Sequence, residues 1–186
     1  MAFRARHSAF DGKHVSFIRS FIGAIAVGFT RILADCAGEY YRQRLASCGE
    51  DVVFYPGVSV VMPKTISIGN STHLGDRCHS RGGGRIAIGE WWQIANNVII
   101  ASGNHPIDGG RYCGKTVFKD ILIGNNVWIG SGAIIMPGIT IGDNSFVAAG
   151  AVVTRPVEAN VIVAGVPARV IGAVPTKDSH ETDNRK

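Results

Sequence analysis

The chain has 186 residues, 46% of them hydrophobic, with a net charge of +5, which gives room for one domain with a sizeable core plus a short extension. The sequence pI is near 9.2, yet no helix-turn-helix pattern, RNA-binding sheet motif or basic run accompanies it, so nucleic acid is not expected as a partner. An anionic ligand or an anionic surface accounts for the charge. The four cysteines, Cys36, Cys48, Cys78 and Cys113, have neither CxxC pairing nor metal-ligand spacing, so reduced thiols, a cytoplasmic protein and no bound metal are expected.

Residues 1–14 carry Arg4, Arg6, His7 and Lys13 and read as a polar, irregular start, with no signal peptide evident. From about Val15 to Leu45 the apolar residues Ile18, Phe21, Ile22, Ile25, Phe29, Ile32 and Leu33 fall three and four apart, the spacing of one helical stripe. That stripe predicts a helix packed on the end of the main domain or on a neighbouring subunit. Its basic setting also fits an interfacial helix against the inner membrane. Phe17–Thr30, interrupted by Arg19 and closed by Arg31, reads as too short for a membrane span.

Short β-rich runs follow at Val52–Tyr55 and Val58–Met62, separated by Pro56-Gly57, and predict an irregular first coil. Hexads then begin at Ile68 and Leu74. Ser80–Arg85, with Gly82-Gly83-Gly84, breaks the phase by two residues and reads as a corner excursion, after which the phase resumes at Ile88, Ile94 and Ile100. Trp92 stands where a small inward residue is expected. Gly103–Asp120 lacks the period and holds Asn104, His105, Pro106 and Gly109-Gly110. An irregular loop of this length inside a domain is usually functional.

From Ile123 an aliphatic residue returns every six positions, at Ile129, Ile135, Ile141, Val147 and Val153, commonly followed by a small one such as Gly124, Gly130, Gly142 or Ala148. A period of six fits neither a helix nor a simple strand; it is the signature of a parallel β-helix, a triangular prism of coils with about 18 residues each. The expected fold is therefore mainly β. The expected organisation is a largely helical extension (1–50), a β-helix domain (51–172) with an excursion at 103–120, and a polar, flexible tail (173–186).

Asn104-His105-Pro106-Ile107-Asp108, followed by Ile123-Gly124-Asn125-Asn126-Val127-Trp128-Ile129-Gly130, resembles the left-handed β-helix O-acetyltransferases. These include maltose and galactoside acetyltransferases and enzymes that acetylate bacterial surface polysaccharides. Ala164-Gly165-Val166-Pro167-Ala168-Arg169 matches as well, and the resemblance covers about residues 66–172. It implies left-handed coiling, an exception to the usual crossover hand, and a homotrimer with active sites between subunits. It also implies acetyl-CoA as co-substrate, no metal, and a saccharide acceptor.

The chemistry asks for few groups: an imidazole can take the proton of a sugar hydroxyl as it attacks the thioester, then return it to the departing thiolate. The resemblance assigns that role to His105. It places Trp128 near the thioester, Ser131 and Ala149 along the pantetheine arm, and Thr154, Arg155 and Arg169 towards the nucleotide end. The sugar acetyltransferases carry an asparagine about thirty residues before the histidine, where this chain reads Gly75-Asp76-Arg77. Asp76, Arg77 and His79 are the candidate acceptor contacts.

Alternatives are an amino-sugar N-acetyltransferase, a non-catalytic β-helix scaffold, and a γ-class carbonic anhydrase with zinc on His73, His79 and His105. In the last case His73 and His79 are one hexad apart and would sit on successive faces. Serine acetyltransferase fits poorly, because its large helical N-terminal domain has no room before residue 50.

Overall fold

The computed structural model describes residues 12–112 and 114–175; Arg4, Arg6, His7, the Ile18 side chain, Cys113 and the end of the polar tail lie outside them. A helix, Gly12–Arg42, precedes a prism whose three faces are parallel sheets. The first face stacks Ser47–Cys48, Ile66–Ile68, Ile86–Ile88, Ile121–Ile123 and Thr140–Ile141. The second stacks Val53–Phe54, Thr72–Leu74, Trp92–Ile94, Trp128–Ile129, Phe146–Val147 and Val161–Ala164, and is closed by the antiparallel strand Arg169–Ala173. The third stacks Ser59–Val61, His79–Arg81, Ile99–Ala101, Ile134–Ile135 and Val152–Val153.

The hexad heads point inward. Ile129, Ile135 and Val147 are 0% exposed, and Ile141 and Val153 1%, so each buried side chain contributes roughly 1.5–3 kcal/mol. The first coil, expected to be irregular, is regular: Ser47 pairs with Ser67, Val53 with His73 and Ser59 with His79. Departures from the six-residue step fall at one corner, between the third face and the first. There the step is eight from Val60 to Ile68 and from Ser80 to Ile88, and 23 from Ile100 to Ile123.

Trp92 fits inside the prism because its in-register neighbour Thr72 is small and its indole has a partner. Nε1 donates to the Gly124 carbonyl at 2.8 Å, leaving the ring 1% exposed. A buried indole N–H needs such an acceptor. Cys78 is also inward, and burial pushes its thiol up, so it behaves as a small apolar residue.

The corner between the first and second faces turns through left-handed residues. Asp51, Ser71, Trp91, Asn126, Asn144 and Asn160 all have φ between 51° and 64°. Asparagine tolerates this conformation, and Asn126 donates to Asn144 and Asn144 to Asn160, forming a side-chain ladder up the corner. Trp91 is the bulky member of the column.

The helix seats only its C-terminal third on the prism. Ala34 and Gly38 are buried, Tyr41 packs on Phe54, and Arg42 donates to the Val52 carbonyl. Gly38 is small because a Cβ there would approach the Phe54 ring to 3.3 Å. The predicted apolar stripe does not pack on the domain end: Phe21, Ile22, Ile25, Phe29, Ile32 and Leu33 are 52–60% exposed. Ala34, Gly38 and Tyr41, which seat on the prism, lie on another side of the helix, and the helix runs on beyond them. Arg19–Arg42 is long and apolar enough to cross a bilayer by length and composition, a longer apolar stretch than Phe17–Thr30.

Candidate active site

The long excursion is not structureless. It is an antiparallel arm in which Gly103-Asn104 pairs with Val117-Phe118 and Ile107-Asp108 with Arg111-Tyr112. Its tip, Gly109-Gly110, has φ of 56° and 79°, as the two-residue hairpin turn that matches strand twist requires. The hairpin signal Asp-Gly-Gly-Arg was present in the sequence, although the stretch reads as a loop by periodicity.

The arm is rooted on the three glycines of the preceding coil. Phe118 lies over Gly83, where a Cβ would overlap its ring, and Lys119 passes next to Gly84. Gly84 N–H donates to Ser102 Oγ at 3.1 Å, and Arg85 N–H to Asp120 Oδ1 at 2.8 Å. The excursion at Ser80–Arg85 is thus a seat for the arm.

His105 is exposed on this arm. Its backbone N–H donates to Asn104 Oδ1 at 2.8 Å, and its Nδ1 lies 3.1 Å from the Lys115 carbonyl. A carbonyl only accepts, so this hydrogen bond requires the proton on Nδ1 and leaves the lone pair on Nε2.

Trp128 stands on the outer side of the second face, 53% exposed and stacked on Phe146 with ring centroids 4.5 Å apart. It lines two grooves. The smaller, about 190 Å³, also holds Tyr55, His73, Asp76 and Gln93; the larger, about 450 Å³, holds Trp91, His73, Gln93, Asn126 and Phe146. Neither includes a residue of the arm. The arm leaves the prism at the corner opposite the second face, so within one chain the structure does not bring His105 to Trp128.

The other sequence-predicted residues divide as follows. Ser131 and Ala149 lie on successive coils at the corner between the second and third faces, where Gly150 N–H donates to the Ser131 carbonyl. A Cβ on the neighbouring Gly132 or Gly150 would meet nothing, so the strip is smooth and open. Thr154 and Arg155 are exposed just after the third-face strand Val152–Val153, and Arg169 is exposed at the start of the closing strand, Nη1 donating to the Ala168 carbonyl.

Asp76 lines the smaller groove, and its backbone N–H is held by Asn96 Oδ1. Arg77 turns a corner at φ 55° and donates to Asn97 Oδ1. His79 is half-buried on the third face, away from both grooves. His73, His79 and His105 stand on the second face, the third face and the arm, and no metal-holding group of His, Cys, Asp or Glu occurs among the described residues. His73, Gln93 and Trp91 are groove residues that the hexad pattern did not single out. The first two are outward, mid-strand positions, an alternation that the sequence does carry.

Three stacked parallel sheets built on a six-residue step define a class, the hexapeptide-repeat β-helix proteins. The family model described as bacterial transferase hexapeptide (six repeats) matches residues 120–155. Galactoside O-acetyltransferase of Escherichia coli (strain K12) is 37% identical over 140 residues, covering 75% of this chain and 69% of that protein. A galactoside acetyltransferase structure in complex with coenzyme A superposes with a TM-score of 0.70 at 34% identity, covering 76% of this chain and 71% of that one. A hexapeptide-repeat acetyltransferase from Vibrio cholerae, complexed with acetyl coenzyme A, has a TM-score of 0.72 at 26% identity over 92% of this chain and 94% of its own. The chain belongs to the hexapeptide-repeat acetyltransferases and is an acetyl-CoA-dependent acyltransferase.

Proposed function

We propose that the chain transfers the acetyl group of acetyl-CoA to a saccharide hydroxyl, in surface-polysaccharide biosynthesis in the cytoplasm, with His105 as general base. The carrying observation is the His105–Lys115 hydrogen bond, which leaves Nε2 free to accept a proton. Nε2 takes the hydroxyl proton as the oxygen bonds to the acetyl carbonyl carbon. The C–S bond breaks, and the thiolate receives the proton from His105. Trp128 borders the thioester, Ser131 and Ala149 the pantetheine strip, and Thr154, Arg155 and Arg169 the anionic nucleotide end. Asp76, with Arg77 next to it in the chain, serves the acceptor side; His79, on the third face, takes no part in it.

The site is completed by a second copy. The arm is exposed, with Ile107 64% and Tyr112 76% open to solvent, and His105 stands at a different corner of its own prism from the Trp128 grooves. A homotrimer in which each arm reaches the second face of its neighbour supplies both needs. The exposed helix makes peripheral contact with an anionic membrane, its arginines Arg19 and Arg31 flanking the apolar stretch. Co-sedimentation with anionic but not neutral vesicles is expected, and loss of it on Phe29→Asp.

The test is incubation with acetyl-CoA and a panel of sugars, amino sugars and simple amines, with products read by mass spectrometry. Acetyl esters cleaved by hydroxylamine are expected. Hydroxylamine-stable amides as the main product would replace this reading with amine acylation, and tight acetyl-CoA binding with no turnover on any acceptor would overturn it.

A further inference from the structure

Trp91 departs from its own structural column. It turns the corner at φ 64°, in the left-handed region, where a bulky aromatic residue is an outlier. Three of the column's six positions are asparagine, the residue suited to this turn, and they occupy the three successive coils that follow Trp91. The packing does not ask for tryptophan: the ring is 67% exposed, while the adjacent Trp92 fills the interior. Backbone strain held without a packing return is a mark of function.

The ring lines the 450 Å³ groove together with the stacked pair Trp128–Phe146, and the groove's polar side chains include His73, Gln93 and Asn126. Flat aromatic faces with amide and imidazole groups between them match a pyranose, which presents C–H groups on its faces and hydroxyls around its edge. The groove is continuous with the smaller one: His73, Gln93 and Trp128 line both. Trp91 and Asp76 therefore mark the two ends of one surface across the second face.

We infer that this surface holds an acceptor of at least two sugar rings, the reacting ring on the Asp76 side and a further ring against Trp91. The inference rests on the saccharide reading above and deepens it: the enzyme favours oligosaccharides over the corresponding monosaccharides. Trp91 is then a specificity residue, remote from the reacting atoms.

The test compares the full-length wild type with Trp91→Asn and Trp91→Phe. Glucose, galactose and N-acetylglucosamine are each offered alone and as their linear trisaccharides, with acetyl-CoA. Trp91→Asn, which restores the column's usual residue, is expected to raise Tm by a few degrees. It should lower the ratio of kcat/KM for the preferred trisaccharide over its monosaccharide by about ten-fold. Trp91→Phe should retain most of the ratio. An unchanged ratio in Trp91→Asn, a raised KM for acetyl-CoA, or an altered oligomeric mass would each overturn the inference while leaving saccharide acetylation standing. Acetylation of no sugar in the panel would remove the saccharide reading and the inference with it.

Discussion

From Ser47 to Ala101 equivalent strands lie 20 residues apart, whereas from Ile121 to Val153 they lie 18 apart. The later coils spend every residue on the prism. The earlier ones place two more at a single corner, and at Gly82–Arg85 these become the seat of the arm. Interiors differ too: Ile129, Ala133, Ile135 and Ile141 fill the later coils, with Ser145 as a buried polar member, while Thr72, Cys78, Ser80 and Trp92 interrupt the aliphatic column earlier. The smooth strip proposed for the cofactor belongs to the regular coils, while His73, Asp76 and Gln93, which line the smaller groove, belong to the 20-residue ones. A repeat can supply a constant site through regularity, but selectivity for an acceptor has to come from where the regularity is broken.

Five substitutions test that division. His105→Ala should lower kcat by roughly 10²–10⁴, with the Kd for coenzyme A by calorimetry unchanged. Mixing it with Trp128→Ala, unfolding and refolding together, should recover activity if base and groove come from different subunits. No recovery would argue against the shared site. Ile129→Ala, in a regular coil, should cost about 2–5 kcal/mol in denaturant unfolding, because its neighbours on both sides are fully packed. Gly83→Val acts on the arm's seat: a branched side chain under Phe118 should displace the strand that carries His105, lowering kcat about ten-fold while coenzyme A binding persists. Equal loss of both would place the effect in folding instead. Arg169→Ala should raise the KM for acetyl-CoA by about five-fold at most, as expected for an exposed charge; no change would remove its phosphate role.

Much of the prism was legible in the residues. Ile123, Ile129, Ile135, Ile141, Val147 and Val153 recur at one step, and all are buried. The break at Gly82–Gly84 was legible as a break, but its purpose was not, because Phe118 is 35 residues further along the chain. The first coil escaped because its eight-residue step from Val60 to Ile68 hides the phase. The helical stripe was read correctly as helical, yet the spacing of Ile25 and Phe29 carries no information on whether that side meets protein or solvent.

The repeat by itself determined the inward column, since each hexad writes its own burial locally: one residue in, small neighbours at the turn. Only the tertiary structure decided which outward residues share a surface. His73, Gln93, Trp128 and Phe146 stand in one row on the second face although their separations are 20, 35 and 18. Those offsets depend on how much chain leaves the prism at each corner. The tertiary structure also set His105 on an arm at the far corner from Trp128, an arrangement that a period of six does not encode.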